Sequence, residues 1–223
     1  IAFEYEEVRL ASAIASGNRA SVEASLADMS TTVGESLKLL SDPTKRNATL
    51  TEERAAVLMR DALKILQIWR LVSAAGVAQA AADMPTFEAM KQDGGTDVAL
   101  VKAWLAFRSG DAAAAQSLLA QAEPSNWGAL LAAELAADRG DKSLAVRLLL
   151  DVYSATTLAP LGGLALSRAA QIDAAAVQPD AEGKQELESA LTASARVIVD
   201  DPAQALHSGE VNVPIHDGVL SAE

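Results

Sequence analysis

A Gly-Asp pair occurs twice in this chain, at Gly110-Asp111 and at Gly140-Asp141, thirty residues apart. Each pair closes one alanine- and leucine-rich stretch and opens another. Setting residues 98–123 over 128–153 leaves ten of 26 positions identical: Ala99/Ala129, Leu100/Leu130, Ala103/Ala133, Leu105/Leu135, Ala106/Ala136, Gly110/Gly140, Asp111/Asp141, Ala115/Ala145, Leu118/Leu148 and Leu119/Leu149. Glycine adopts the left-handed conformation without steric penalty and so closes a helix at its C′ position. Aspartate accepts hydrogen bonds from the free N–H groups that open the next helix. Two residues therefore end one helix and start another, and their return at a fixed interval predicts a helical hairpin that itself returns. The shared small residues stand where paired helices must approach closely.

Composition points the same way. Alanine is 48 of 223 residues, half of the chain is apolar, and only 4% is aromatic. Alanine is the best helix former and loses no side-chain entropy on ordering. Alternating β-branched runs, the mark of half-buried strands, are almost absent. The expected fold is all-α: antiparallel helical hairpins stacked as a short solenoid, with longer helices at the N-terminus.

The residues around the two corners resemble a tetratricopeptide repeat. A first helix runs into Gly-Asp, an alanine follows four residues after the aspartate (Ala115, Ala145), and a leucine four later (Leu119, Leu149). A fainter version surrounds Ser16-Gly17-Asn18, with Leu10 and Ala13 before it and Val22 and Leu26 after it. The period differs, 30 here against about 34 in that family, Lys102 stands at a usual leucine position, and the resemblance covers about residues 97–154. It implies stacked helix pairs whose concave face binds a peptide or protein.

Along the chain, helices are expected at 1–16, 19–40 and, from a Thr49–Glu52 capping box, 51–83, with Gly76 as a point of bending or breakage and Met84-Pro85 as its end. A short helix is expected at 86–91, and Gly94-Gly95 in a polar stretch marks a loop. Shorter helices follow near 97–109, 111–122, 126–139 and 141–154, then a weaker one containing Pro160 and Gly162-Gly163. Another helix is expected at 182–199, with an irregular tail beyond, in which "EVNVPIHDG" could be extended. The expected organisation is an N-terminal long-helix bundle at 1–92, a hairpin-repeat region at 93–200 and a tail at 201–223, or one continuous domain over 1–200. The chain begins at Ile1 rather than methionine, so a leader, an anchor helix or a further domain is expected before it.

The formal charge of −12 repels phosphate backbones and anionic lipid, so nucleic acid is not an expected partner. No uncharged apolar run reaches 18 residues, so this segment is not expected to insert into a membrane. Either side of a membrane is compatible with a cysteine-free chain. Without cysteine, and with only His207 and His216, both in the tail, thiolate, triad and zinc chemistry have no frame. No metal, cofactor or catalytic residue is expected. Arg139-Gly140-Asp141 spells an adhesion tripeptide, but its place at a helix corner makes a cap pair the default reading. Trp69 falls on an apolar stripe and reads as core. Positions that differ between the aligned stretches are free of the shared packing duty. They include Trp104, Arg108, Trp127, Glu134 and Asp138, which match groove-lining positions of tetratricopeptide proteins. These five are the candidate binding surface, with Trp104 or Trp127 as anchor. The expected function is a non-catalytic interaction or scaffold domain of a larger bacterial protein, the alanine content suggesting a GC-rich genome. The alternatives are a structural spacer or oligomerisation domain, or an all-helical enzyme.

Overall fold

Three corners of the chain are built alike. Gly17, Gly110 and Gly140 have φ of 67°, 83° and 80°. At the second corner the Gly110 N–H donates to the Phe107 carbonyl (3.0 Å) and the Asp111 N–H to the Ala106 carbonyl (2.9 Å). Gly140 and Asp141 repeat this onto Ala137 and Ala136, and Gly17 and Asn18 onto Ile14 and Ala13. This paired pattern satisfies carbonyls that a helix end would leave free. The next residue caps the following helix: Asn18 accepts from the Ser21 N–H, Asp111 from Ala114 and Asp141 from Leu144. The tripeptide at 139–141 is thereby consumed in a turn, with the Arg139 guanidinium donating to Gln116 Oε1 (3.0 Å).

The computed structural model of the protein describes residues 2–47, 49–90, 96–156, 159–177, 215–216 and 219–220. Among them are nine α-helices: α1 (Ala2–Ala15), α2 (Arg19–Ser41), α3 (Glu52–Val72), α4 (Val77–Ala89), α5 (Thr96–Arg108), α6 (Ala112–Leu119), α7 (Asn126–Asp138), α8 (Lys142–Ala155) and α9 (Ala159–Ile172). The fold is all-α. Sequential helices pack as hairpins, α1 on α2, α5 on α6 and α7 on α8, and α8 then packs on α9. α9 also packs on α1, so the first and last helices of the Ile1–Ile172 stretch meet. A nearest-neighbour array leaves its ends apart. Here the end of the array is covered by its beginning.

Ile1–Ile172 form one compact unit and Asp173–Glu223 a second. No division falls at residue 92 or 93. The reason lies in α3, whose last seven residues, Leu66 to Val72, are all buried. A helix end buried on every side has neighbours on every side, and they come from both halves of the sequence. Trp69 Nε1 donates to Glu7 Oε1 of α1 (2.8 Å). Its ring meets that of Trp127 of α7 edge-on, centroids 5.1 Å apart. Arg60 and Lys64 of α3 pair with Asp97 of α5 (2.7 and 3.0 Å). In the second unit, the described residues are a 3₁₀ turn at Ala174–Val177 and two antiparallel two-residue strands, β1 (Ile215–His216) and β2 (Val219–Leu220), with Ile215 opposite Leu220. The expected extended tail segment falls in part on β1. The helix expected at 182–199 lies outside the described residues, as do His207 and the Gly94-Gly95 loop.

Of the two weak points expected in this region, Gly76 does accompany a break and Pro85 does not end a helix. The long helix at 51–83 is broken at Ser73–Gly76, where Ala74 takes a φ of 58°. A Cβ on Gly76 would lie 2.7 Å from Arg70 Cγ, so only glycine fits against that side chain. Conversely, Pro85 does not end a helix but sits inside α4. Pro85 is exposed, so the carbonyl it leaves without a donor faces water, while Phe87, 1% exposed, holds the last turn against the core. The first cap of α3 is Thr51, whose hydroxyl accepts from the Arg54 N–H. Thr49 instead turns its hydroxyl to Asn47 Oδ1.

Candidate functional site

Three of the ten identical pairs are core in both aligned stretches. Leu100 and Leu130, Ala103 and Ala133, and Ala115 and Ala145 are all buried. The five differing residues divide. Trp104 is 0% exposed. Its Nε1 donates to the Trp127 carbonyl (3.3 Å), and its ring stands edge-on to Phe107. Trp104 is core and cannot anchor a partner. α5 packs against α3, α4, α6 and α7, so a position that is half-buried on α7 is enclosed on α5. Trp127 is half-buried and spends its ring on Trp69. Asp138 is exposed at the end of α7.

Arg108 and Glu134 remain, and they share a face. The Arg108 guanidinium lies 5.6 Å from the Trp104 ring and 5.3 Å from the Phe107 ring. It donates to the carbonyls of Leu71 (2.5 Å) and Val72 (2.7 Å), closing the C-terminus of α3. A cation there also complements the helix dipole. Burial lowers the pKa of Arg108; nearby Glu134 opposes this and nearby Arg168 adds to it. Glu134 pairs with Arg168 of α9 (Nε to Oε1, 3.2 Å). Arg168, which sequence reasoning missed, is the only charged residue of α9. A single charge on a helix that packs on two others needs a partner or water, and that was the available signal.

Beside this cluster opens a cleft of about 400 Å³, where the ends of α1, α3 and α5 meet the start of α2 and the side of α9. Arg19, Arg108 and Arg168 line it, with Ile14 and Val22 and the turn from Val72 to Ala75. No aspartate or glutamate is among its lining residues. Arg19 pairs with Glu23 (2.8 Å) on the outer side of α2, where both are exposed. Three guanidiniums with planar donor faces suit carboxylate or phosphate oxygens. Among the described residues there is no group of three acidic, histidine or cysteine side chains able to hold a metal, and no helix is long and apolar enough to cross a membrane.

No family model matches the chain, and no solved structure matches it. An alanine dehydrogenase of Archaeoglobus fulgidus is 44% identical over 48 residues, which is 22% of this chain and 15% of that enzyme. So short a stretch, in a chain where alanine is 48 of 223 residues, assigns no family.

Proposed function

We propose that the chain is a non-catalytic interaction module, related in style to tetratricopeptide domains, that takes a carboxylate-bearing segment of a partner protein into the arginine-lined cleft. The observation that carries this reading is the cleft's lining of three arginines without an acid, in a chain of net charge −12. The overall charge disfavours nucleic acid, so the oxygens the guanidiniums meet are those of acidic side chains or of a chain terminus. The anchors expected from sequence are aromatic; Arg108 and Arg168 take that part, with the rings of Trp104 and Phe107 against the Arg108 guanidinium. Glu134 holds Arg168 in place, so the site is built before a ligand arrives, which limits the ordering cost of binding.

The test is selection of a displayed random peptide library against the unit. The wild-type chain should enrich peptides carrying aspartate, glutamate or a free C-terminus. The double variant Arg19→Gln, Arg168→Gln should lose that enrichment while keeping its helical spectrum. Enrichment of acidic peptides that persists in the double variant, or no enrichment at all, refutes the proposal.

A further inference from the structure

α3 presents Met59, Leu63 and Gln67 four residues apart, along one side of the helix. With α2 and α4 this side encloses a second cavity, of about 430 Å³. Phe87 of α4 and Met90, which caps that helix, complete an apolar wall, and Lys38 and Thr86 stand exposed beside it. The volume is that of sites that enclose small organic ligands.

Ser41 and Asp83 also line the cavity, the first donating to the Lys38 carbonyl and the second paired with Arg70 and Gln79; one further polar lining residue has no such partner among the described residues. Gln67 is 0% exposed, and neither its Oε1 nor its Nε2 has a hydrogen-bond partner among the described residues. A buried amide gives up water at both atoms, and proteins seldom leave such groups unsatisfied. Around it Leu66, Ile68 and Leu71 are buried apolar residues. A methionine or leucine at this place would fill the same volume without that penalty. The two amide atoms side by side offer one donor and one acceptor on a single edge.

We infer that the cavity between α2, α3 and α4 binds a small neutral molecule with a carboxamide or lactam edge on an apolar body, Gln67 pairing with that edge. An amide edge returns one acceptor for Nε2 and one donor for Oε1, which a carboxylate, an ether or a hydrocarbon does not. The apolar body lies against Met59, Leu63, Phe87 and Met90. Unbranched methionine side chains re-pack around different shapes, so torsions of Met59 and Met90 admit the ligand to the floor. The site is separate from the arginine-lined cleft and stands whether or not that cleft binds peptide.

The experiment titrates hexanamide, hexan-1-ol and hexanoate into the whole chain and follows the Gln67 side-chain amide and the methionine methyl resonances by NMR. Hexanamide should shift Gln67 and the Met59 and Met90 methyls in a saturable way. It should bind at least about tenfold more tightly than hexan-1-ol, the difference one satisfied amide pair makes. The variant Gln67→Met should lose this preference and melt at a higher temperature. Equal affinities for the three probes overturn the inference, as does a preference that survives Gln67→Met. Should the variant not fold, the wild-type panel decides alone.

Discussion

A methyl group added at Gly110 or Gly140 should destabilise the protein, whereas the same methyl added at Gly34 or Gly163 should stabilise it. At the two corners φ is 83° and 80°, and an added Cβ meets nothing within 4 Å. The penalty of Gly110→Ala or Gly140→Ala is therefore the backbone's alone, about 1–2 kcal/mol for an L side chain in the left-handed region. The stiffer unfolded chain returns about 0.4–1 kcal/mol, leaving a net loss of about 1 kcal/mol. Gly34 and Gly163 lie inside α2 and α9, and there too an added Cβ meets nothing within 4 Å. Alanine inside a helix is favoured over glycine by about 0.8–1.0 kcal/mol. The two pairs should thus differ by about 2 kcal/mol in opposite directions, or about 4–8 °C in Tm for a unit of this size. Urea and thermal unfolding followed at 222 nm measure both. If all four variants move the same way, the corners are not held by left-handed glycine and the account of the hairpins is wrong.

Trp104→Ala should cost about 3–5 kcal/mol, as for any large buried aromatic; a Tm near wild type would mean that Trp104 is not core. Arg108→Ala removes two charged donors from the last carbonyls of α3 and should cost about 3 kcal/mol. Arg108→Lys should recover less than half of it, because an ammonium lacks the planar fork that reaches both oxygens; denaturant titration separates the two variants. Pro85→Ala should raise stability by about 1–3 kcal/mol by restoring an internal helix bond on an exposed face. Burial raises the pKa of Tyr153. The stability tied to this shift is complete below the ordinary tyrosine pKa of about 10 and is lost as pH rises through the higher folded value; Tyr153→Phe should flatten that alkaline loss in a pH series of unfolding curves.

The sequence made the corners legible because their chemistry is local. A left-handed glycine and a capping aspartate act within six residues, so Gly110-Asp111 and Gly140-Asp141 announce themselves. The boundaries of α5 to α8 follow from them. Other features depend on distant neighbours. Gly76 breaks the long helix because of where the Arg70 side chain lies. Pro85 is tolerated because it faces water while Phe87 is buried. Trp104 differs from Glu134 for a tertiary reason: α3 and α4 enclose its helix and leave Glu134 open toward α9. The comparison of the two stretches located Arg108 and Glu134 on a common face, since residues released from packing are free to serve elsewhere. It gave no access to Arg168, which lies beyond the repeat, nor to Gln67, whose polarity stands out only once its surroundings are known to be apolar.

The direct test of the cleft is to watch its guanidiniums. The Nε–Hε resonances of Arg108 and Arg168 can be assigned from Arg108→Lys and Arg168→Lys variants and followed while a short glutamate-containing peptide, taken from the library selection, is added. Both resonances should move with a single saturation curve, and the indole signals of Trp104 and Trp127 should follow because the Arg108 guanidinium stacks on the first ring, whose N–H meets the second residue's carbonyl. A peptide that binds yet leaves Arg108 and Arg168 unmoved contradicts the assignment of this cleft as the recognition site.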